Sequence, residues 1–265
     1  MTAKRYVFIT GASSGIGFQF ARYCAQRGDT LLLVSRSAER LQKAADHIRT
    51  QYAADVLTLS CDLTQPSAVA EVMEWLDALQ VVPRLIIHNA GFGAFGAFHQ
   101  LPEESIEDQI AIHDLFPLRF TRRILPRLLE APPATILFIA STAAFAPVPF
   151  LNVYAAAKAL QLHSALALRA ELDGTDVQVS CCCPGPVATG FFDTAQMSNR
   201  PPFPLRLMDP ETVVRYTMRQ LERGKALIIP GVLNRWVARF SRWMPKTTAA
   251  RIAASLYRRQ LNKRK

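Results

Sequence analysis

Arg5-Tyr-Val-Phe-Ile-Thr10 is a short run of β-branched and aromatic residues, and the glycine-rich turn Gly11-Ala-Ser-Ser-Gly15-Ile-Gly17 follows it directly. After this turn the apolar residues recur with helical spacing through residues 18–24. A strand, a glycine turn and a helix in this order form a site at which N–H groups of the helix start bind a pyrophosphate. The spacing G-x-x-x-G-x-G differs from the commonest dinucleotide fingerprint, and an ordinary strand-to-helix turn is the alternative.

Strand and helix patterns alternate along the rest of the chain. Apolar strand candidates lie near residues 5–10, 30–35, 55–60, 84–88, 134–140, 177–182 and 226–229. Helical patterns lie near residues 15–27, 37–51, 66–80, 103–130, 151–172 and 210–223. The alternation predicts an α/β fold with a Rossmann-like, doubly wound parallel sheet of about seven strands and helices on both faces. We expect residues 1–230 to form this single domain, with a basic helical extension over residues 231–265.

Composition and cysteine usage favour a cytoplasmic protein with one large core. The chain has 265 residues, of which 50% are hydrophobic, enough to cover both faces of a parallel sheet. It has no run of about 18 apolar residues, so no spanning helix is expected, and its start lacks the pattern of a signal peptide. Cys181, Cys182 and Cys183 would alternate between strand faces and cannot converge on a metal ion. We therefore expect no metal site and buried thiols in a reducing compartment.

Ser141, Tyr154 and Lys158 combine a hydroxyl, a phenol and an amine. Tyr154 and Lys158 are four residues apart, so a helix would place them on one face, one turn apart. A free tyrosine has a pKa of about 10, and a nearby ammonium lowers that pKa towards the range where acid–base catalysis works. The alternative is an amphipathic helix with a solvated Tyr and Lys.

Several motifs together resemble the short-chain dehydrogenase/reductase family, in the family's order from residue 5 to about residue 190. They are Thr10-Gly11-x-x-x-Gly15-x-Gly17, Asn89-Ala90-Gly91, Ser141, Tyr154-x-x-x-Lys158 and Pro184-Gly185-x-x-x-Thr189. The resemblance implies NAD(P)(H)-linked oxidation or reduction of an alcohol/carbonyl pair. It also implies that Tyr154 is the acid–base, that Ser141 orients the substrate oxygen, and that Lys158 holds the nicotinamide ribose and lowers the pKa of Tyr154.

The resemblance further implies a cofactor site along the carboxyl ends of the strands. Its expected residues are Gly11, Ser13, Ser14, Gly15, Ile16, Gly17, Ser35, Arg36, Asp62, Leu63, Asn89, Ala90, Gly91, Tyr154, Lys158, Pro184, Gly185, Val187 and Thr189. Among them Asp62 resembles the family's adenine-contacting Asp, although a turn residue before a helix is a compatible reading. Thr189 is expected to contact the carboxamide or the phosphates.

The end of the second strand favours NADP(H) over NAD(H). An NAD site would usually carry Asp or Glu there to bind the ribose hydroxyls. This chain has Ser35-Arg36 instead, and a guanidinium pairs well with a 2′-phosphate. A solvated surface arginine is the alternative. The usual cellular role of NADPH makes reduction the expected direction.

His113 departs from the family pattern, because it stands where most members have an Asn. In the family that Asn is thought to hold a water that connects the lysine to a proton relay. We hypothesise that His113 replaces the Asn in the relay and makes the rate more sensitive to pH. The alternative is a helix histidine without a catalytic part.

The stretch near residues 190–208 corresponds to the family's mobile substrate lid. It carries several aromatic and apolar residues, and further phenylalanines precede it: Phe145, Phe150, Phe191, Phe192, Met197 and Phe203. They suggest a lipophilic carbonyl substrate, such as a fatty-acyl, steroid-like or aromatic ketone or aldehyde.

The C-terminal tail holds the whole positive excess of the chain. Of the 31 basic residues twelve lie between Arg223 and Lys265, where there is no Asp or Glu, so residues 1–222 carry 19 basic and 21 acidic residues. Within residues 232–244 the apolar side chains form one helical stripe beside three arginines. Three alternatives stay open. The helix lies on an anionic membrane, or Trp236, Phe240 and Trp243 pack on this subunit or a dimer partner, or the tail binds another acidic partner such as an acyl-carrier protein or nucleic acid.

Two classes of function are consistent with the sequence. The first is an NADPH-dependent carbonyl reductase with Tyr154 as proton donor. The second is a dinucleotide-sensing or interaction protein that has lost catalysis and docks through its basic tail. The family resemblance implies a homodimer or homotetramer built on the helices near residues 103–130 and 151–172, and no motif indicates nucleic-acid binding.

Overall fold

A seven-stranded parallel sheet forms the centre of the computed structural model, which describes residues 5–195, 197 and 207–262, with side chains as far as residue 258. Its strands are β1 (Tyr6–Thr10), β2 (Thr30–Ser35), β3 (Val56–Ser60), β4 (Leu85–His88), β5 (Ala134–Ile139), β6 (Val177–Cys182) and β7 (Leu227–Ile228). They lie in the order β3-β2-β1-β4-β5-β6-β7. The order reverses between β1 and β4, and ligands of such sheets bind at the carboxyl ends beside this switch point. The predicted Rossmann-like sheet is confirmed.

Helices cover both faces of the sheet. They are α1 (Gly15–Ala25), α2 (Ala38–Tyr52), α3 (Ala68–Leu79), α4 (Glu103–Ile110), α5 (Phe116–Glu130), α6 (Asn152–Glu171), α7 (Phe191–Thr194), α8 (Pro210–Glu222), α9 (Val232–Trp243) and α10 (Lys246–Asn262). Strand residues alternate between the two faces: Val7 and Ile9 pack with α1, α2 and α8, whereas Phe8 packs with α3, α5 and α6. The sheet is therefore buried on both sides, as its apolar strands predict.

The segment near residues 103–130 is not one regular α-helix as predicted. A π-helical turn, Ala111–Leu115, separates α4 from α5. Pro117 at the start of α5 has no N–H to donate to the carbonyl of His113, four residues earlier, and its ring would crowd that carbonyl. A widened turn relieves this conflict, and it leaves the His113 carbonyl without its usual helical donor.

The two tail helices pack on the body through specific contacts. Asn234 and Ala238 of α9 are buried, and the Asn234 side chain lies against Gly185, where an added Cβ would come within 2.4 Å of it. Lys246 Nζ donates a hydrogen bond to the Phe145 carbonyl at 2.8 Å. No helix in the described ranges is both long and apolar enough to cross a bilayer.

Candidate active site

The glycine turn brings the start of α1 against the end of β1. Gly11 and Gly15 have φ of +66° and +55°, a region that favours glycine. A Cβ on Gly17 would lie 2.2 Å from the Gly11 carbonyl oxygen, so only glycine allows this close approach. The first turn of α1 contains no acidic residue, and its N–H groups open to the switch point, as pyrophosphate binding requires.

Ser13, Ser35 and Arg36 lie together at the outer end of this turn. The hydroxyls of Ser13 and Ser35 are 2.9 Å apart, which joins the glycine turn to the end of β2. Arg36 follows Ser35 and is exposed, and among the described residues its guanidinium has no carboxylate partner. These groups fit a 2′-phosphate, but they equally fit the alternative of a solvated arginine.

Asn89 ties β4 to β1 beside the switch point. Its Nδ2 donates to the carbonyls of Thr10 at 2.9 Å and Gly11 at 3.2 Å. The Thr10 hydroxyl in turn accepts from the backbone N–H groups of Asn89 and Ala90, each at 3.0 Å. Asp62 closes a turn by accepting from the N–H and hydroxyl of Thr64 at 3.1 and 2.9 Å. Asp62 is thus a turn residue, as one of its two expected roles requires. This role is compatible with the expected contact to the adenine.

The segment Pro184–Thr189 lines the opposite side of the site. The Thr189 side chain is the neighbour that a Cβ on Gly15 would meet, at 3.2 Å. Val187 pairs with Met208 in an isolated bridge. The segment therefore lies between the start of α1 and the tail helix α9. The remaining cofactor candidates, Ile16, Leu63, Ala90 and Gly91, follow the same carboxyl edge of the sheet.

Tyr154 and Lys158 lie one turn apart on α6, and Ser141 follows β5. Lys158 Nζ is 5.7 Å from the centre of the Tyr154 ring. The lysine is only 4% exposed, and its Nζ donates to the Ile139 carbonyl at 2.8 Å. Lys158 is therefore not the solvated helix-surface lysine of the alternative, whereas Tyr154 is partly exposed.

Burial dominates the acidities of this pair. It raises the pKa of Tyr154 to about 12, against an opposing contribution from the Ser141 hydroxyl. It lowers the pKa of Lys158 to about 8, with Asp114 opposing. The expected lowering of the Tyr154 pKa by Lys158 is not found: removal of the phenolate from water dominates, and the contribution that lowers the pKa comes from the hydrogen bond with Ser141. The pair favours a neutral phenol, which is a proton donor.

His113 is buried beneath the loop after β4. Its Nε2 lies 2.7 Å from the Phe92 carbonyl, and its ring covers Gly91, where a Cβ would lie 2.1 Å from Cε1. Burial, with the positive charge of Lys158, lowers the pKa of His113 well below its usual value. Titration of His113 near neutral pH is therefore not supported, and neither is the pH sensitivity that we expected from it.

Gln161 is a site residue that the sequence reasoning missed. Its Oε1 accepts from Lys158 Nζ at 2.9 Å, and its Nε2 donates to the His113 carbonyl at 2.6 Å. This carbonyl is the group whose usual α-helical donor is missing, because residue 117 is a proline. The signal available in the sequence was a Gln three residues after Lys158, which a helix places on the same face.

Asp114 and Tyr257 were also missed. Asp114 is 4% exposed, and burial raises its pKa to about 7, against the charge of Lys158. Tyr257 comes from α10 and packs on Phe95, with ring centres 5.9 Å apart. It joins an apolar cluster with Phe95, Leu151, Phe192, Ala195 and Met197 that includes Tyr154 at its edge. No local pattern indicated that the tail returns to this site.

Two further expectations concern the lid and metals. Phe192 and Met197 are buried in the apolar cluster, whereas Phe203 and most of the predicted lid lie outside the described residues.

Among the described side chains no three His, Cys, Asp or Glu are placed to share a metal ion. The five cysteines are buried free thiols.

Known proteins are similar to this chain in both sequence and fold. The short chain dehydrogenase family profile matches residues 5–199. The very-long-chain 3-oxoacyl-CoA reductase of Phaeosphaeria nodorum is 31% identical over 225 residues, which cover 83% of this chain and 64% of that protein. The uncharacterized oxidoreductase DltE of Bacillus subtilis is 31% identical over 224 residues, with coverages of 83% and 85%.

Solved structures agree with this grouping. The short-chain dehydrogenase from Sphingobium yanoikuyae in complex with NADPH is 30% identical, with a TM-score of 0.81 over 89% of this chain and 92% of that one. The bulky-bulky ketone specific alcohol dehydrogenase from Comamonas testosteroni is 29% identical, with a TM-score of 0.77 over 89% and 90%. The chain spans 63% and 64% of the length of two of its 3-oxoacyl-CoA reductase relatives. With a family match over most of its length and the expected sheet, the chain belongs to the short-chain dehydrogenase family of oxidoreductases.

Proposed function

We propose that the protein is an NADPH-dependent oxidoreductase that reduces a lipophilic ketone or aldehyde to an alcohol. One observation carries the proposal: Tyr154, whose pKa burial raises to about 12, lies beside Lys158 and hydrogen-bonds with Ser141, just beyond the carboxyl end of β5. A neutral phenol at this position can protonate a carbonyl oxygen. The proposed site comprises Ser141, Tyr154 and Lys158, with the cofactor residues named above.

The residues along the edge fit a bound nicotinamide dinucleotide. The N–H groups at the start of α1 would hold its pyrophosphate, while Ser13, Ser35 and Arg36 would bind the 2′-phosphate of NADP(H). When bound, the reduced nicotinamide supplies a hydride. The comparisons leave the choice of cofactor open, because one similar protein is in complex with NADPH and another with NAD. Arg36 and the missing acid favour NADPH.

The proposed reduction moves one hydride and one proton. As the carbonyl carbon accepts the hydride, Tyr154 donates its phenol proton to the carbonyl oxygen, which Ser141 orients by a hydrogen bond. The ammonium of Lys158 stabilises the phenolate that results. Proton transfer of this kind contributes about a hundredfold to ten-thousandfold to the rate.

Gln161 is proposed as a positioning residue for Lys158. In the family a bound water connects the lysine to the proton relay, whereas here a side-chain amide spans Lys158 and the His113 carbonyl. An amide donates and accepts hydrogen bonds but does not take up and release a proton as water does. The proposed role of Gln161 is therefore to hold the ammonium in place, and His113 takes part through its carbonyl.

The proposed substrate is lipophilic because aromatic and apolar side chains surround Tyr154. Its ring lies 5.2 Å from that of Phe191 and 5.5 Å from that of His113. The names of two similar proteins, a very-long-chain 3-oxoacyl-CoA reductase and a bulky-bulky ketone specific alcohol dehydrogenase, agree with an acyl or bulky ketone substrate.

We also propose that the protein assembles as a homodimer or homotetramer in the cytoplasm. Large apolar side chains are exposed on the two helical segments from which the family resemblance predicts assembly: Ile110, Leu115, Leu129 and Leu160. Burial of these residues against a second copy would remove apolar area from water.

The competing function is a dinucleotide-sensing protein without catalysis. Oxidation of NADPH with a panel of ketones and aldehydes, with NADH run in parallel, separates the two. We expect Tyr154→Phe to lower the rate of reduction by about a hundredfold or more while NADPH binding is retained. Activity that survives this substitution would overturn the mechanism, and a wild-type protein that binds NADPH but reduces nothing would favour the sensing role.

A further inference from the structure

Helix α9 exposes an unusually large apolar face. Five side chains share this face, and their exposed fractions run from 55% to 84%: Val232 62%, Leu233 55%, Trp236 66%, Phe240 66% and Trp243 84%. At 100° per residue they lie within roughly one quadrant to one third of the helix surface. Contiguous exposed apolar patches mark binding surfaces, whereas single exposed apolar residues are common on any protein surface.

The opposite face of α9 holds the helix on the body. Asn234 donates to the Pro230 carbonyl at 2.8 Å and lies against Gly185, and Ala238 is 2% exposed. Trp236, Phe240 and Trp243 therefore do not pack on this subunit, which leaves a dimer partner and a membrane as the expected alternatives for these side chains. The apolar face is directed outward by a well-anchored helix.

The charges around this face select an anionic partner. Arg235, Arg239 and Arg242 occupy the helix surface next to the apolar face. Arg235 also contacts the Tyr216 hydroxyl at 3.0 Å, whereas Arg239 is exposed. From Arg223 to the end the sequence has twelve basic residues and no acidic one, so a partner must itself supply negative charge.

A two-fold contact of α9 on α9 in a second copy does not meet this requirement. A two-fold contact between two α9 helices would bring their arginines together with no carboxylate on either helix. An anionic bilayer supplies both an apolar layer for the aromatics and phosphate or carboxylate groups for the arginines. We propose that α9 is a docking helix that lies flat on an anionic lipid surface.

The dimensions of α9 agree with docking in the plane of the interface. Its 12 residues make a helix about 18 Å long, too short to span a bilayer. Trp236 and Trp243 are two turns apart, so they enter the interface about 10 Å from each other. Tryptophan is favoured at this depth because its ring is apolar and its N–H polar.

Docking through α9 would bring the candidate active site to the lipid surface. The Arg242 guanidinium lies 5.2 Å from the centre of the Phe145 ring, in the loop that follows Ser141. A lipophilic substrate dissolved in the bilayer would then have a short path to the site. Vesicle binding itself does not depend on the proposed reduction and is measured without substrate.

The test is co-sedimentation of the full chain with vesicles of phosphatidylcholine, alone and with phosphatidylserine added. We expect binding to the anionic vesicles that weakens in high salt. Trp236→Ala with Trp243→Ala should weaken it roughly tenfold or more, and Arg239→Gln about fivefold. Leu57→Ala, on the sheet edge far from α9, and Arg219→Gln, on exposed α8 surface, are the matched controls and should bind like wild type.

Three results would overturn the proposal. They are failure of the wild type to bind either vesicle, wild-type binding by the double tryptophan variant, and equal losses in the matched controls. Sedimentation velocity tests the competing partner. If the wild type is a dimer that does not bind vesicles, and the double tryptophan variant is a monomer, then the partner of α9 is a second copy of the chain. Retained NADPH binding and an unchanged circular dichroism spectrum verify that each variant is folded.

Discussion

Lys158 shows how this chain accommodates a buried charge. An ammonium removed from water costs several kcal/mol unless its N–H groups find acceptors. The Ile139 carbonyl and Gln161 Oε1 provide two, at 2.8 and 2.9 Å. Gln161 is held in this orientation because its amide nitrogen bonds to the His113 carbonyl, which has no i+4 helical donor because residue 117 is a proline. A proline on one helix thus determines the environment of a lysine on another.

Two substitutions of Gln161 should differ in a way that tests this linkage. Gln161→Leu keeps the volume but leaves the His113 carbonyl and one Lys158 N–H without partners, at a cost of about 1–3 kcal/mol in the free energy of unfolding. Gln161→Ala removes more atoms, yet it opens a space beside two polar groups, the Lys158 ammonium and the His113 carbonyl, in which a water can bind. We expect Ala to retain more stability and more reductase activity than Leu, as measured by thermal unfolding and kcat/KM.

The pH dependence distinguishes a positioning role from simple packing. Without the Gln161 acceptor the charged form of Lys158 is less favoured, so Gln161→Leu should move the alkaline limb of the rate to lower pH. An unshifted limb, or a Leu variant as active as the Ala variant, would reject the role proposed for Gln161.

Wild-type reduction should itself decline as the pH rises through about 8, the pKa to which burial lowers Lys158. Below this pH the lysine is an ammonium and stabilises the phenolate that forms on Tyr154, and above it the charge is lost. Tyr154 stays protonated throughout, because its pKa is about 12. The measurement is kcat/KM for the ketone against pH at saturating NADPH. If the Lys158→Arg variant is active, its kcat/KM should not decline as the pH rises through 8, since a guanidinium keeps its proton. A wild-type kcat/KM that stays constant well above pH 8 would contradict the assignment.

At the scale of elements, the glycine turn depends on the contact between α1 and the end of β1. Gly17→Ala would force a Cβ to within 2.2 Å of the Gly11 carbonyl and 2.5 Å of Asn89 Nδ2. We expect it to destabilise the fold by about 1–3 kcal/mol and to abolish measurable NADPH binding. Gly190→Ala is the matched control, because its Cβ would meet nothing within 4 Å among the described residues and its φ is −65°. Equal melting temperatures and NADPH affinities for the two variants would refute this account.

The elements were more predictable than the contacts between them. Each predicted strand overlaps an observed one, because fully buried parallel strands leave continuous apolar runs in the sequence. The π turn was not predicted, although Pro117 marked the place, because periodicity alone does not reveal which carbonyl loses its donor. Gln161 and Asp114 were missed for a related reason: their importance comes from burial beside Lys158, which depends on how α5 and α6 pack.

At the scale of the whole molecule, the tail packs beside the candidate site. Lys246 reaches the Phe145 carbonyl across 101 positions of sequence, and α10 carries Tyr257 onto the apolar cluster beside Tyr154. Sequence periodicity showed the tail to be helical and basic, but it carried no information on where the chain would return. For this reason point variants test the tail better than its deletion, which would uncover Phe95 and the substrate side of the site.

Tyr257 should therefore limit the size of substrate that the site accepts. Its ring lies 5.9 Å from that of Phe95 in the apolar cluster that includes Tyr154, and burial raises the pKa of its phenol. In the proposed site Tyr257 would form one wall beside Tyr154. Tyr257→Ala removes this wall, so the ratio of kcat/KM for a bulky ketone to that for a small one should rise about tenfold. Tyr257→Phe keeps the ring and should leave the ratio unchanged, which separates shape from the hydroxyl. Because Tyr257 is more than a hundred residues from Tyr154 in sequence, an unchanged ratio in the Ala variant would mean that α10 only covers the body and does not shape the site.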